Sequence, residues 1–300
     1  MSQIGWEAAG AIESARPLVR WARESNSDRF PLTDSMLPVR AIFGRSARKS
    51  TLMPPATPDL DALFDAAPHT ATTFDPADVA HLPPPAQRYL AHAIAPKTPL
   101  ASAVRLRMHG SIRLKRWHPF TAEQVILRDR GMIWRAKVRV AGATMRGFDC
   151  FLDGAGTMQW KLCGLLPLVR ASGPDITRSS AGRFAAESVW LPSLLCSDRV
   201  AWEPGDASTA RAHFAVNAHD EDLALTLSGG ALQSVALARW GNPDGGDFRE
   251  VEFGAAIDQE ATFGGYTIPV RLRVGWYFGT GRFEDEGKFF QATIDDAVYR

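Results

Sequence analysis

From Ala101 onward the chain alternates apolar and polar residues with a period of two, the repeat of a strand that buries one of its faces. Between Val104 and Leu114, Val104, Leu106, Met108, Ile112 and Leu114 are apolar, whereas Arg105, Arg107, His109, Ser111 and Arg113 are polar. Met132, Trp134, Ala136, Val138 and Val140 alternate with Arg135, Lys137 and Arg139, and the run from Ile268 to Phe278 alternates with Thr267, Arg271, Arg273 and Tyr277. Weaker versions lie near 119–127, 144–152, 157–162, 209–216, 222–228, 231–239, 248–263 and 288–294. Asp153-Gly154, Gly229-Gly230, Asp244-Gly245-Gly246 and Gly264-Gly265 punctuate the runs as turns, which is the signature of an antiparallel meander. Ten or eleven strands in one sheet carry too much twist to stay flat. The expected fold is mainly β (α+β): a large curved antiparallel sheet or half-barrel with a helical plug or lid.

One segment departs from the period of two. Pro174 suits the first position of a helix, Asp175 complements the positive end of its dipole, Arg183 and Glu187 form an i,i+4 pair, and Leu191-Pro192 stops it. Its apolar residues, among them Ile176, Phe184, Val189 and Trp190, do not form a narrow stripe, so more than one side is expected to be covered. A helix inserted midway through a curled sheet is a natural gate for its concave face. A second helix is expected over Ala86–Ile94, between Pro83-Pro84-Pro85 and Pro96, after a helical turn at Asp75-Pro76.

Proline divides the chain: thirteen of the 20 prolines lie in the first 99 residues. Residues 1–73, with one amphipathic candidate at Trp6–Arg23 amid Ser-, Pro- and Arg-rich text, read as a flexible extension, and residues 74–300 as a single curved-sheet domain. No run approaches the ~18 apolar residues of a membrane span, and the first residues lack the order of a signal peptide. Three cysteines, Cys150, Cys163 and Cys196, are too few for a disulfide scaffold. A reducing, cytoplasmic setting is the resulting expectation.

The charge balance, 34 Lys+Arg against 33 Asp+Glu, argues against a general nucleic-acid binder. Locally it is uneven: residues 101–148 hold eleven Lys or Arg against Glu123 and Asp129, while 244–260 and 284–296 are acidic. Cross-strand pairing explains this, as does a basic surface for an anionic membrane. Nucleophile elbows, phosphate-binding loops and zinc-ligand spacings are missing, so no metal and no cofactor are expected. Large aromatics in such a sheet either fill the core or line a pocket for an apolar ligand. Trp134, Trp160, Phe184, Trp190 and Trp276 are the candidate wall, and Arg178, Glu187, Arg239 and Tyr266 the candidate polar contacts.

Several segments resemble a bacterial family of uncharacterised proteins. They are Leu82-Pro83 to Tyr89-Leu90, Pro119 to Gln124, Val169-Arg170-Ala171-Ser172-Gly173-Pro174-Asp175 to Ser179, and Glu187-Ser188-Val189-Trp190-Leu191-Pro192. Arg239-Trp240-Gly241-Asn242-Pro243-Asp244-Gly245 and Thr262-Phe263-Gly264-Gly265 to Pro269 complete the likeness, which spans about residues 74–300. The resemblance implies an architecture similar to the LolA-like lipoprotein carriers, and it implies no reaction. The expected function is noncatalytic binding or carriage of a hydrophobic, lipid-like ligand on the concave face. The alternatives are an enzyme acting on an apolar substrate through Arg178, Glu187 and a histidine, and a partner-binding domain that uses the basic face.

Overall fold

Alternation becomes burial strand by strand. Val104, Leu106, Met108 and Ile112 are buried while Arg107 and His109 stand in solvent, and the same holds for Met132, Trp134, Ala136 and Val138 against Arg135, Lys137 and Arg139. The computed structural model describes residues 58–300 apart from 204–205; the candidate helix at Trp6–Arg23 lies outside them.

Two helices precede the sheet, α1 (Leu60–Asp65) and α2 (Pro84–Ala93). Six strands follow: β1 (Ala103–Arg113), β2 (Trp117–Leu127), β3 (Gly131–Val140), β4 (Ala143–Leu152), β5 (Ala155–Leu162) and β6 (Leu166–Ser172). Then come α3 (Pro174–Glu187), a 3-10 turn over Ser188–Trp190, and the single turn α4 (Pro192–Leu195). The second run comprises β7 (Ala201–Glu203), β8 (Thr209–Val216), β9 (His219–Ser228), β10 (Ala231–Gly241), β11 (Arg249–Phe263), β12 (Tyr266–Trp276) and β13 (Lys288–Tyr299). All are antiparallel in one open sheet, ordered β6-β5-β4-β3-β2-β1-β13-β12-β11-β10-β9-β8-β7.

The count is thirteen rather than the expected ten or eleven. The two additional strands are the two edges. Strand β6 is largely exposed and carries Pro167, which suits an edge that must not template further pairing; β7 is three residues long.

Helix α3 shows that the sheet is curled. It contacts β5 on one flank, where Thr177 Oγ1 accepts from Gly156 N at 3.0 Å, and β10 on the other, where Arg239 Nε donates to the Ser179 carbonyl at 2.9 Å. Strands β5 and β10 stand eight places apart in the sheet, roughly 38 Å if it were flat at ~4.8 Å per strand. A helix only ~10–12 Å across can touch both only if the sheet wraps round it. The main core fills this concavity, and α2 packs in the same core through Tyr89, Leu90 and Ala93.

Helix α1 lies on the opposite, convex face. Leu60, Leu63 and Ala67 pack on Ala103, Val125, Leu127, Ile133, Phe148 and Cys150. Packed structure therefore begins upstream of Phe74, where the domain was expected to start. The physical reason is a second apolar patch on the outer face, made by Val125, Ile133 and Phe148 at positions opposite in phase to the core. No described helix is long and apolar enough to cross a membrane.

Candidate functional site

Helix α3 approaches the sheet closely because its middle is built from small residues, Ser179, Ser180, Ala181 and Gly182. A Cβ on Gly156 of β5 would stand 2.7 Å from the Thr177 Cα, so the helix and strand meet backbone to backbone. On the other flank a Cβ on Gly182 would meet the Arg239 Cγ at 3.1 Å and Glu221 Oε2 at 3.3 Å. Between the helix and the inner face of the sheet a cavity of about 110 Å³ remains. Its wall is apolar, with Met132, Trp134, Phe253, Leu272, Trp276 and Phe290, while Asp149, Ser179, Arg183, Glu187 and Arg239 bring polar groups to the helix side.

The polar groups form two unlike sets. In the first, Arg183 is held by two carboxylates: its Nη1 donates to Asp149 Oδ2 at 2.7 Å and its Nε to Glu187 Oε1 at 2.7 Å. Glu187 Oε2 accepts from Gln124 Nε2 at 2.5 Å, and Asp149 Oδ1 from the Trp160 indole at 3.2 Å. The Arg183 guanidinium lies 5.1 Å from the Trp134 ring centroid. Burial raises the Asp149 carboxyl, with Arg183 and the Trp160 N–H opposing it. Burial also draws Arg183 down, but Glu187 and Asp149 outweigh it and leave this guanidinium above its ordinary value.

The second set centres on Arg239. Its guanidinium donates to the Ser179 carbonyl at 2.9 Å and to Ser179 Oγ at 3.2 Å, and lies 4.5 Å from the Phe253 centroid and 5.1 Å from that of Trp276. Among the described residues it has no carboxylate partner within ion-pairing distance. Burial, then repulsion from Arg183, pulls it down to about 9, so it remains charged at neutral pH. Glu221 lies near it, and burial lifts that carboxyl to about 7 against the pull of Arg239 and Arg178. The indole N–H groups of Trp134 and Trp276 and the Oε1 of Gln124 are buried without a hydrogen-bond partner.

Five of the nine residues singled out from the sequence meet at this cavity: Trp134, Glu187, Trp190, Arg239 and Trp276. Four do not. Trp160 lies fully buried behind Asp149, and Phe184 packs on Phe151 with ring centroids 6.0 Å apart. Arg178 points outward, bound to Glu250 at 2.6 Å and stacked 3.9 Å over Trp240. Tyr266 is a clasp: its hydroxyl donates to the Pro99 carbonyl at 2.6 Å and accepts from Ala101 N at 2.7 Å. The cavity lining contains no histidine, so the Arg178, Glu187 and histidine set is not brought together.

The residues that sequence reasoning missed are Gln124, Asp149 and Glu221. Each stands on the apolar phase of its strand: Gln124 between Ala122 and Ile126, Asp149 between Gly147 and Phe151, Glu221 two before Leu223. A polar residue at an inward position was the available signal.

The fold and cavity define a class, an open antiparallel half-barrel plugged by one helix over a partly polar hollow. Within that class, residues 72–285 match the model of a family of unknown function, DUF6544, and the chain belongs to that family. No curated protein matches it. Similar solved structures include a domain assigned as an outer membrane lipoprotein-sorting protein from Vibrio parahaemolyticus, 9% identical, covering 66% of this chain and 86% of that one with a TM-score of 0.36. Another is a LolA superfamily protein from Nitrosomonas europaea, 9% identical, covering 72% of this chain and 92% of that one with a TM-score of 0.33.

Proposed function

We propose that the protein is a noncatalytic binder or carrier of an acidic amphipathic small molecule with a lipid-like tail. The tail lies along Trp134, Phe253, Leu272 and Trp276, and the anionic head meets Arg239. The observation that carries this reading is the charge on Arg239, which faces the cavity with no carboxylate within ion-pairing distance among the described residues. Arg183, which lines the same cavity, has two carboxylates. A cation removed from water is normally paired, and an incoming carboxylate or phosphate supplies the missing partner. The partnerless indole N–H of Trp276, whose ring centroid lies 5.1 Å from the Arg239 guanidinium, is a further donor for such a head.

The cavity of about 110 Å³ is small beside the ~300–1,000 Å³ of sites for larger ligands. A long tail therefore enters by displacing α3 or repacking side chains beneath it. Trp190, whose indole donates to the Pro269 carbonyl at 3.0 Å, closes the end of the cavity where the helix stops.

The test is fluorescence titration with 11-(dansylamino)undecanoic acid, alongside native mass spectrometry of the purified protein. The acid should bind, its methyl ester should bind more weakly, and Arg239→Gln should lose about ten- to a hundred-fold in affinity, the range of a charge-assisted hydrogen bond. Equal affinity for acid and ester, or no loss in Arg239→Gln, would refute the assignment.

A further inference from the structure

The alternating hairpins of the first six strands place three tips at one end of the sheet. Arg113 pairs with Trp117 beside the β1–β2 turn, Val140 with Ala143 at the β3–β4 turn, and Leu162 with Leu166 at the β5–β6 turn. The described residues include four exposed large apolar side chains, and three are on these tips: Trp117, Leu166 and Leu165, the last 85% exposed. The fourth, Val298, pairs with Arg105 near the opposite end of β1.

Just behind the tips, the outer face is basic across three strands. Lys137 stands directly opposite Arg146, and Arg146 directly opposite Lys161, with Arg139 one outward position nearer the tip. None of these four has an ion-pair partner among the described residues. Most acids in the neighbourhood are engaged, Glu123 by Arg135 at 3.0 Å, Asp295 by His109 at 2.7 Å, Glu286 by Arg282 at 2.6 Å, and Glu284 by Arg273 at 2.9 Å and by Lys288, while the exposed Asp285 beside Arg113 is in no ion pair among the described residues. Like charges directly across a sheet are destabilising, so this row opposes folding unless something anionic meets it.

We infer that this end of the half-barrel docks on an anionic lipid bilayer, with Leu165, Leu166 and Trp117 entering the interface and Lys137, Arg139, Arg146 and Lys161 meeting lipid headgroups. Apolar tips backed by a basic collar are the two elements of reversible interfacial binding, and tryptophan favours the headgroup level. A nucleic acid would use the charge but leave Leu165 and Leu166 in water. The surface is separate from the cavity, so this inference does not depend on what the cavity holds.

The experiment is co-sedimentation of the full chain with vesicles of phosphatidylcholine alone or with about 30% phosphatidylglycerol, which sets the negative surface potential. Binding should need the anionic lipid and fall when salt rises from about 0.1 M to about 1 M, as the screening length shortens from about 10 to about 3 Å. Lys137→Glu/Arg146→Glu should weaken partitioning more than about twenty-five-fold, at about five-fold per lost charge. Leu165→Asp/Leu166→Asp should abolish it at unchanged melting temperature, because both side chains are exposed. Arg211→Glu on β8, a like change of charge elsewhere, should have little effect. The inference is overturned by equal binding to neutral vesicles, by full binding of the Leu165→Asp/Leu166→Asp variant, or by retention of duplex DNA without vesicle binding.

Discussion

Glu221 gives the sharpest test of the electrostatics around α3. The residue is buried on the inward phase of β9, and burial raises its carboxyl from 4.5 to about 7 despite the nearby Arg239 and Arg178. A carboxyl with a higher value in the folded than in the unfolded chain keeps its proton longer when folded. The folded state therefore binds more protons between about pH 4.5 and 7, and stability falls as pH rises through that window. The gap corresponds to about 3 kcal/mol, absent below the unfolded value and fully expressed above the folded one. Glu221→Gln removes the titration and preserves the shape. It should match the parent near pH 4 and exceed it by about 3 kcal/mol near pH 8, a rise of roughly 6–12 °C in melting temperature for a domain of this size. Thermal unfolding followed by circular dichroism across that range reads the difference directly. Asp149 is also raised, so the parent's own decline contains more than one group, but the difference between the two proteins isolates Glu221. Parallel curves for the two proteins would show that the carboxyl is solvated and that the pocket around Arg239 is less dry than its neighbours imply.

Three further outcomes follow from the same contacts. Arg183→Met leaves Asp149 and Glu187 buried without their cation and should cost about 3–5 kcal/mol in urea unfolding. Leu60→Ala empties a buried position beneath α1, should cost about 2–5 kcal/mol, and should speed proteolysis ahead of the sheet. Gly156→Val drives a side chain into the Thr177 backbone and should raise hydrogen exchange across Pro174–Glu187, whereas Gly246→Ala, with no atom within 4 Å of the added carbon, should leave it unchanged.

Much of the architecture was legible because the sheet has two chemically distinct faces. Eleven strands announce themselves by alternation, and the turn at Asp153-Gly154 was readable because φ values of 49° and 80° need residues that tolerate the left-handed region. The two unread strands fail for opposite reasons. Leu166–Ser172 is an edge strand wetted on both faces, so no period survives, and Ala201–Glu203 is too short for a period to exist. Helix α1 was obscured by the composition around it, since Pro54, Pro55, Pro58 and Pro68 flank a six-residue helix whose partners lie on strands far along the chain. For the site, aromatic enrichment pointed to Trp134 and Trp276 but could not distinguish them from Trp160, which packs behind the wall. That distinction lies in tertiary packing, which buries Trp160 against Asp149 outside the cavity lining, and no linear pattern encodes it.

The polar residues carry the more general point. Gln124, Asp149, Glu221 and Arg239 all occupy the inward phase of strands whose neighbours in that phase are almost wholly apolar. A sheet built only for stability would place apolar residues there, since a buried ionic group seldom outperforms a well-packed apolar one. Three of the four converge on α3 through contacts that hold it: Gln124 through Glu187, Asp149 through Arg183, and Arg239 through Ser179. The helix is thus fixed over the hollow by polar bonds whose strength depends on water being kept out. On the reading proposed above, an anionic ligand would change that balance on the Arg239 flank, because Arg183 already has two carboxylate partners. The β10 side of α3 is consequently where the plug should yield, and the β4–β5 side, with Gly156 against Thr177 and Arg183 against Asp149, is where it should hinge.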